Sequence, residues 1–533
     1  MPSILFAYFP IVLLVVLMSK KNSMAASRAL PLCAFVAYLV VIFAWHYNLT
    51  WVNANVLSGL LTALTPISII AGAIFLFKCM EVTGALNTIR ARLNRVSQNP
   101  VAQLMIIGWA FAFLIEGASG FGTPAAIAAP ILMSLGFPAL RVAVFCLIMN
   151  SIPVSFGAVG TPIWFGLSVV DLSAQALSEI SVKAAVINTV AAPFVVFAGL
   201  AFVVRPLNLL WKNALFVVLS VLSCTLPYLL LSMVSTEFPS LIGGAIGLFI
   251  TLVLAHYNVG LHCVEMSTTQ HPNSESGELS LIKAGFPLWG TVVMLIITRI
   301  HQFGIKGILQ ATSPSADLSL GYLGQFSVSA SLVLSLKGIF HTAANWQHSL
   351  LYVPSILPFL VMGLATLWLY RVKEAGKVFA DTAVRMKQPV LALFGALVFV
   401  NIMMLSNNTD NNSVSAVEQI GKHLASLTGS KWDFFAAFLG ALGSFFSGSA
   451  TISNLTFAAI QASIASQLGL SVTTILAMQS VGAAMGNMVC INNIVAVTSI
   501  LALNKQDGEI LTKTVWVMLL YGTIAGVSGV LFF

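Results

Sequence analysis

The chain has 533 residues, 58% of them hydrophobic, and its 24 Lys and Arg and 16 Asp and Glu make only 8% formal charge. A soluble domain carries roughly 25%, so this composition, with a mean hydropathy of +0.97, excludes a soluble enzyme, a disordered chain and a nucleic-acid binder. Long apolar runs also exclude a transmembrane β-barrel, which alternates, and leave an all-α polytopic membrane protein in a lipid bilayer.

A span needs about 20 apolar residues. Candidate spans centre near residues 4–18, 30–46, 55–78, 102–116, 140–160, 184–204, 212–232, 240–256, 284–299, 350–370, 389–405, 434–446, 472–502 and 512–533, roughly 12–14 helices. The first run is followed by Lys20-Lys21 and another apolar run, so it reads as a retained span rather than a cleaved signal. Basic residues cluster after it (Lys20, Lys21, Arg28), after the third run (Arg90, Arg92, Arg95) and in 371–388. Those loops are expected in the cytoplasm, so the net charge of +8 reports topology. The stretch 300–349 reads as a polar, partly ordered extracytoplasmic insertion. Six scattered cysteines without a CxxC spacing predict neither disulfide nor metal site, and no cofactor is expected.

Two segments break the pattern. Glu116-Gly117-Ala118-Ser119-Gly120-Phe121-Gly122-Thr123-Pro124 lies between apolar runs, and its glycines and proline cannot extend a helix. Ser444 to Asn454 carries five hydroxyl side chains and an Asn in the same setting. Non-helical backbone at membrane depth survives only when buried in protein or lining a cavity, so each segment predicts a re-entrant hairpin or broken helix.

The segments behave as a repeat. Ser119-Gly120 is followed 32 and 38 positions later by Ser151 and Gly157, and Ser447-Gly448 by Ser480 and Gly486 at 33 and 39. Asn150 to Pro162 and Gln479 to Asn487 are then matching polar breaks within spans. Paired interrupted spans point to a transporter site near the midplane, where helix N-termini suit an anion. Close helix packing by small residues is the competing reading.

Among the sixteen acids, Glu116 alone sits well inside an apolar run. A carboxylate there costs several kcal/mol unless paired or protonated, so it is suited to carry a proton. Arg141 follows a Gly-Phe-Pro turn and could pair a substrate carboxylate or snorkel to the interface. Gly117-Ala118-Ser119-Gly120 also matches the GxSG pattern of intramembrane serine proteases, which need a histidine base. All eight histidines lie at span ends or in loops, which leaves the protease as a remote alternative.

The stretches FLIEGASGFGTPAAIAAPIL (113–132), RVAVFCLIMNSIPVSFGAVGTPI (141–163), SGSATISNLTFAAIQ (447–461) and SVGAAMGNMVCINNIVAV (480–497) closely resemble the lactate permease family. The resemblance implies a multi-pass symporter of 2-hydroxymonocarboxylates (lactate, glycolate) and protons in the bacterial inner membrane. It implies one transporter domain over 1–533, built from two inverted repeats of elevator type, at about 102–163 and 434–502. Relatives of that type are often homodimers.

The expected substrate groups are Ser119, Gly120, Gly122, Thr123, Asn150, Ser151, Ser447, Gly448, Ser449, Thr451, Ser453, Asn454, Gln479, Asn487 and Arg141. Glu116 is expected to take the proton. Sodium coupling is the alternative, because such breaks offer carbonyls and hydroxyls suited to Na⁺.

Overall fold

The computed structural model describes residues 2–533 apart from 20–23, 25, 95–96, 121–122, 263–279, 300–303, 354, 373–374, 406–414, 417–418, 421–422, 424–425, 428, 502 and 504–505. The predicted apolar runs fall on helical segments. Among the described residues, eight helices are long and apolar enough to cross a membrane. They become nine when the bent pair Ala139–Met149 and Ile152–Trp164 counts as one span, and three shorter apolar helices accompany them. The run at 55–78 is two helices, Leu49–Thr62 and Leu64–Val82, meeting at Ala63.

The chain divides into two compact units. The first comprises Met1–Cys79, Pro287–Ser430 and Leu455–Val472. In it the helix Ala375–Met403 packs against Ala26–Leu39 and Leu49–Thr62. The insertion is more ordered than expected. It forms an antiparallel meander of β1 (Ser315–Ser319), β2 (Gln325–Ser329), β3 (Val333–Lys337) and β4 (Trp346–Ser349). Register pairs Ser315 with Ser329, Gln325 with Lys337 and Leu336 with Trp346.

Phe326, Leu334 and Leu336 join Ile339 and Trp346 against Ala54, Trp51 and Leu57 of the helix Leu49–Thr62. Ser58 Oγ donates to Asn345 O at 3.1 Å, and Thr65 Oγ1 lies 2.8 Å from His348 Nδ1. A sheet with open edges cannot lie in hydrocarbon, which agrees with the polar character of this stretch.

The second unit comprises Met80–Phe286, Lys431–Asn454 and Thr473–Phe533. Its spans differ sharply in burial. Pro100–Ala118 is 94% buried and Val472–Val489 is 89% buried, against 44% for Ala214–Ser232 and Pro239–His256 and 39% for Gly508–Phe532. Pro100–Ala118 runs into the first hairpin tip and Val472–Val489 contains the turn at Asn487; the less buried helices present apolar flanks outward, as lipid-facing helices do. Lys183 fixes the start of Val472–Gly486: its Nζ donates to Thr473 Oγ1 at 2.9 Å and Thr474 Oγ1 at 2.8 Å, and pairs with Glu179 at 2.6 Å.

Candidate functional site

The same order of elements occurs twice along the chain. The helical arm Ala112–Ser119 ends at Gly120, and a second arm runs over Thr123–Ser134. After Ala139–Met149 comes a tight turn, Ile152–Phe156, and then Gly157–Trp164, in which Ala158, Val159 and Gly160 all have positive φ. In the second set the arm Trp432–Ser447 ends at Gly448, and Ala450–Leu468 follows. Val472–Gly486 then gives way to the turn Asn487–Val489 and the helix Ile491–Ile500.

Both tips use glycine because both have positive φ, 63° at Gly120 and 71° at Gly448. Each tip N–H closes the preceding arm, Gly120 onto Glu116 O at 3.0 Å and Gly448 onto Ser444 O at 2.8 Å. Glu116 and Ser444 therefore hold equivalent places, three residues before each Ser-Gly pair. Sequence reading had the spacing that pairs them but did not single out Ser444 as a site residue.

One narrow cavity opens on both sets. Glu116, Gly120, Gly157, Ala158 and Pro162 line it from the first; Gly448, Ser449, Ala450, Thr451 and Asn487 line it from the second. In this conformation it holds about one water molecule. No Lys, Arg or His lines it among the described residues.

Glu116 is 1% exposed, and one carboxyl oxygen accepts from the Asn150 side chain while Oε2 has no hydrogen-bond partner among the described residues. Gly157 makes room for it: a Cβ there would sit 2.5 Å from Glu116 Oε1. Across the cavity, Ser449 Oγ accepts from Ile452 N–H at 3.3 Å as the cap of Ala450–Leu468. The first N–H groups of that helix, on Ala450 and Thr451, have no acceptor within the helix. They add partial positive charge at the cavity wall.

The predicted residues divide clearly. Glu116, Gly120, Gly448, Ser449, Thr451 and Asn487 face the cavity. Asn150 stands behind Glu116 and orients it. Gln479, Ser453 and Asn454 instead hold the second hairpin. Gln479 Nε2 donates to Ser453 Oγ at 3.2 Å and Asn454 Oδ1 at 3.3 Å, Ser453 Oγ donates to Gly440 O at 2.7 Å, and Asn454 Nδ2 donates to Pro162 O at 2.8 Å.

Ser151 Oγ donates to Ile148 O at 2.7 Å, and Ser447 Oγ to Gly443 O at 2.8 Å, so both hydroxyls cap their own helices. Arg141 is exposed at the start of Ala139–Met149 and is not among the residues lining the cavity. Gly122 and the side chains of Ser119 and Thr123 lie outside the described residues. Val154, Gly157, Ala158 and Pro162 line the cavity without having been expected as substrate groups; their signal was the polar break Asn150 to Pro162, a second breaker inside a span.

A larger concavity in the first unit is apolar, lined by Phe35, Leu60, Leu391 and Phe394 among others. Its polar pair satisfies itself, Tyr38 OH donating to Asn53 Oδ1 at 2.8 Å. It offers nothing to an anion. The five described cysteines are buried and form no disulfide among the described residues, which also hold no cluster of metal-ligand type.

The family model for L-lactate permease matches residues 3–533. A Haemophilus influenzae protein provisionally described as an L-lactate permease is 46% identical over 99% of this chain and 98% of its own length. The L-lactate permease of Escherichia coli K12 is 27% identical over 98% of this chain and 93% of its own. The glycolate permease GlcA of that strain is 25% identical over 98% and 94%. Among solved structures, the YdaH transporter of Alcanivorax borkumensis aligns with a TM-score of 0.44 and 14% identity, over 99% of this chain and 98% of that one.

Proposed function

The chain belongs to the L-lactate permease family, and from that premise we propose that it carries a small 2-hydroxymonocarboxylate, lactate or glycolate, together with a proton across the bacterial inner membrane. The observation that carries this reading is the buried Glu116 carboxyl, with one oxygen unpartnered among the described residues, in a cavity bounded by two hairpin tips.

The electrostatics give the coupling. No cationic side chain lines the cavity among the described residues, so the substrate carboxylate is met by the N–H groups of Ala450 and Thr451 and the hydroxyls of Ser449 and Thr451. A second ionised carboxylate beside it would be strongly repelled. Two carboxyl groups sharing one site hold one proton between them. Substrate and proton therefore enter together, and because anion and proton add no net charge, the loaded site keeps the single negative charge of the empty site with Glu116 ionised. Asn487, which lines the same cavity, is the amide assigned to the 2-hydroxyl. The cavity as it stands is smaller than the substrate, so loading requires the tips to part.

The test is uptake into proteoliposomes driven by an imposed pH gradient without sodium. The wild-type protein accumulates lactate; Glu116→Gln loses gradient-driven accumulation and keeps lactate–lactate exchange. Normal accumulation in that variant refutes the assignment. Strict dependence on sodium replaces the proton with Na⁺ as coupling ion.

A further inference from the structure

Directly behind the first break lies a closed polar network absent from the sequence reading. Asn188 from Ala174–Val203, Tyr228 from Ala214–Ser232 and Tyr521 from Asp507–Phe532 are all 0% exposed, and so is Ser155 in the break. Asn188 Nδ2 donates to Ser155 Oγ at 2.9 Å and to Tyr228 OH at 2.6 Å, and Tyr521 OH donates to Asn188 Oδ1 at 2.6 Å. Tyr228 also bonds Ser155.

The Tyr228 ring meets Phe156 of the break edge-on, centroids 5.1 Å apart, and Phe113 of the first hairpin arm at 5.6 Å. Phe113 lies one turn before Glu116. A single buried cluster thus touches both walls that form the Glu116 side of the cavity.

The break needs such support. Ala158 and Val159 sit at φ 44° and 57°, a region that side chains with a Cβ occupy only when their surroundings over-determine them. Unwound backbone at this depth must also be satisfied from within the protein. Ser240 Oγ donates to Pro153 O at 2.6 Å, and the Asn188 network fixes Ser155 two residues on. Gly157, which receives the Glu116 carboxyl, follows immediately.

We infer that Asn188, Tyr228 and Tyr521 are positioning residues for transport: they hold the turn Ile152–Phe156 in the geometry that seats Glu116 and thereby set the apparent substrate affinity. The inference rests on the reading of the cavity as the carboxylate site. A purely structural role would lower the amount of folded protein and leave the kinetics of each folded molecule unchanged.

The test measures KM and maximal rate of lactate uptake in proteoliposomes matched for folded protein. The variants are Asn188→Ala, Tyr521→Phe and, for the cavity itself, Thr451→Val. Tyr521→Phe keeps the ring and removes one hydroxyl, so it carries the test if Asn188→Ala does not fold. The expected result is a KM raised roughly two- to tenfold in Tyr521→Phe, the range of one lost hydrogen bond, and raised further in Asn188→Ala. A raised KM in Thr451→Val with a wild-type KM in Tyr521→Phe overturns this inference alone. A wild-type KM in Thr451→Val removes the cavity reading, and this inference falls with it.

Discussion

Gly157→Ala separates the chemistry of the site from its architecture. The added Cβ would lie 2.5 Å from Glu116 Oε1 and 3.3 Å from its Cδ, whereas ordinary contact begins at 3.4 Å. The carboxyl oxygen must therefore retreat by about 0.9 Å. It can do so, because the obstacle is the end of a side chain and not backbone. The expected consequence is a weakened bond from the Asn150 amide, which holds that carboxyl. A hydrogen bond to a charged group contributes roughly 1.5–3 kcal/mol, and each 1.4 kcal/mol is about tenfold. Gradient-driven uptake should fall roughly ten- to hundredfold while the variant reaches the membrane in wild-type amount. The counterpart substitution, Gly486→Ala, meets Ala441 O at 2.3 Å and Ala441 Cα at 2.7 Å, which is backbone and cannot yield. It should lower the amount of folded protein instead. The assay is pH-driven lactate uptake alongside quantitative detection in membranes. Wild-type uptake in Gly157→Ala, or equal abundance loss in both variants, refutes the placement of Glu116.

At the tips, Gly120→Ala should destabilise more than Gly448→Ala. Gly120 has φ 63° and ψ −160°, a region almost confined to glycine and costing roughly 1–3 kcal/mol for other residues, whereas Gly448 (φ 71°, ψ 16°) tolerates alanine at about 1 kcal/mol; melting temperatures in detergent in the reverse order would contradict this. Asn454→Leu leaves Pro162 O without its donor and should cost about 1–3 kcal/mol; an unchanged melting temperature would show that the bond contributes nothing. His348 tests the extramembrane sheet. Burial beside Trp346 holds its imidazole below the ordinary His range, so the folded sheet takes up the proton less readily than the unfolded chain. Its contribution is complete above about pH 6.5 and is lost as the pH falls below that. Hydrogen exchange in β3 and β4 should accelerate in acid beyond the intrinsic rate, and His348→Gln should remove the excess; the same excess in that variant would rule His348 out.

The membrane class, the helical runs and the two broken stretches were legible because they are local properties. Hydropathy sums over about 20 neighbouring residues, and a Gly or Pro interrupts a helix within one turn of itself. Glu116 stood out for the same reason, a lone acid in an apolar run. The paired spacing further suggested that the two breaks cooperate. The four strands were less visible, because Ser-rich segments of four or five residues resemble loop until Trp346 and Leu336 find the helix at Ala54.

Direction and partnership were decided only by the tertiary structure. Ser449 and Thr451 look into the cavity, while Ser453 and Asn454, two to five residues on, face Gly440 and Pro162. All four read alike as polar residues in a breaker. The bond from Asn454 spans 292 positions and that from Tyr521 to Asn188 spans 333. Residue type establishes what a side chain can bond; which atom it bonds depends on helices brought together from opposite ends of the chain.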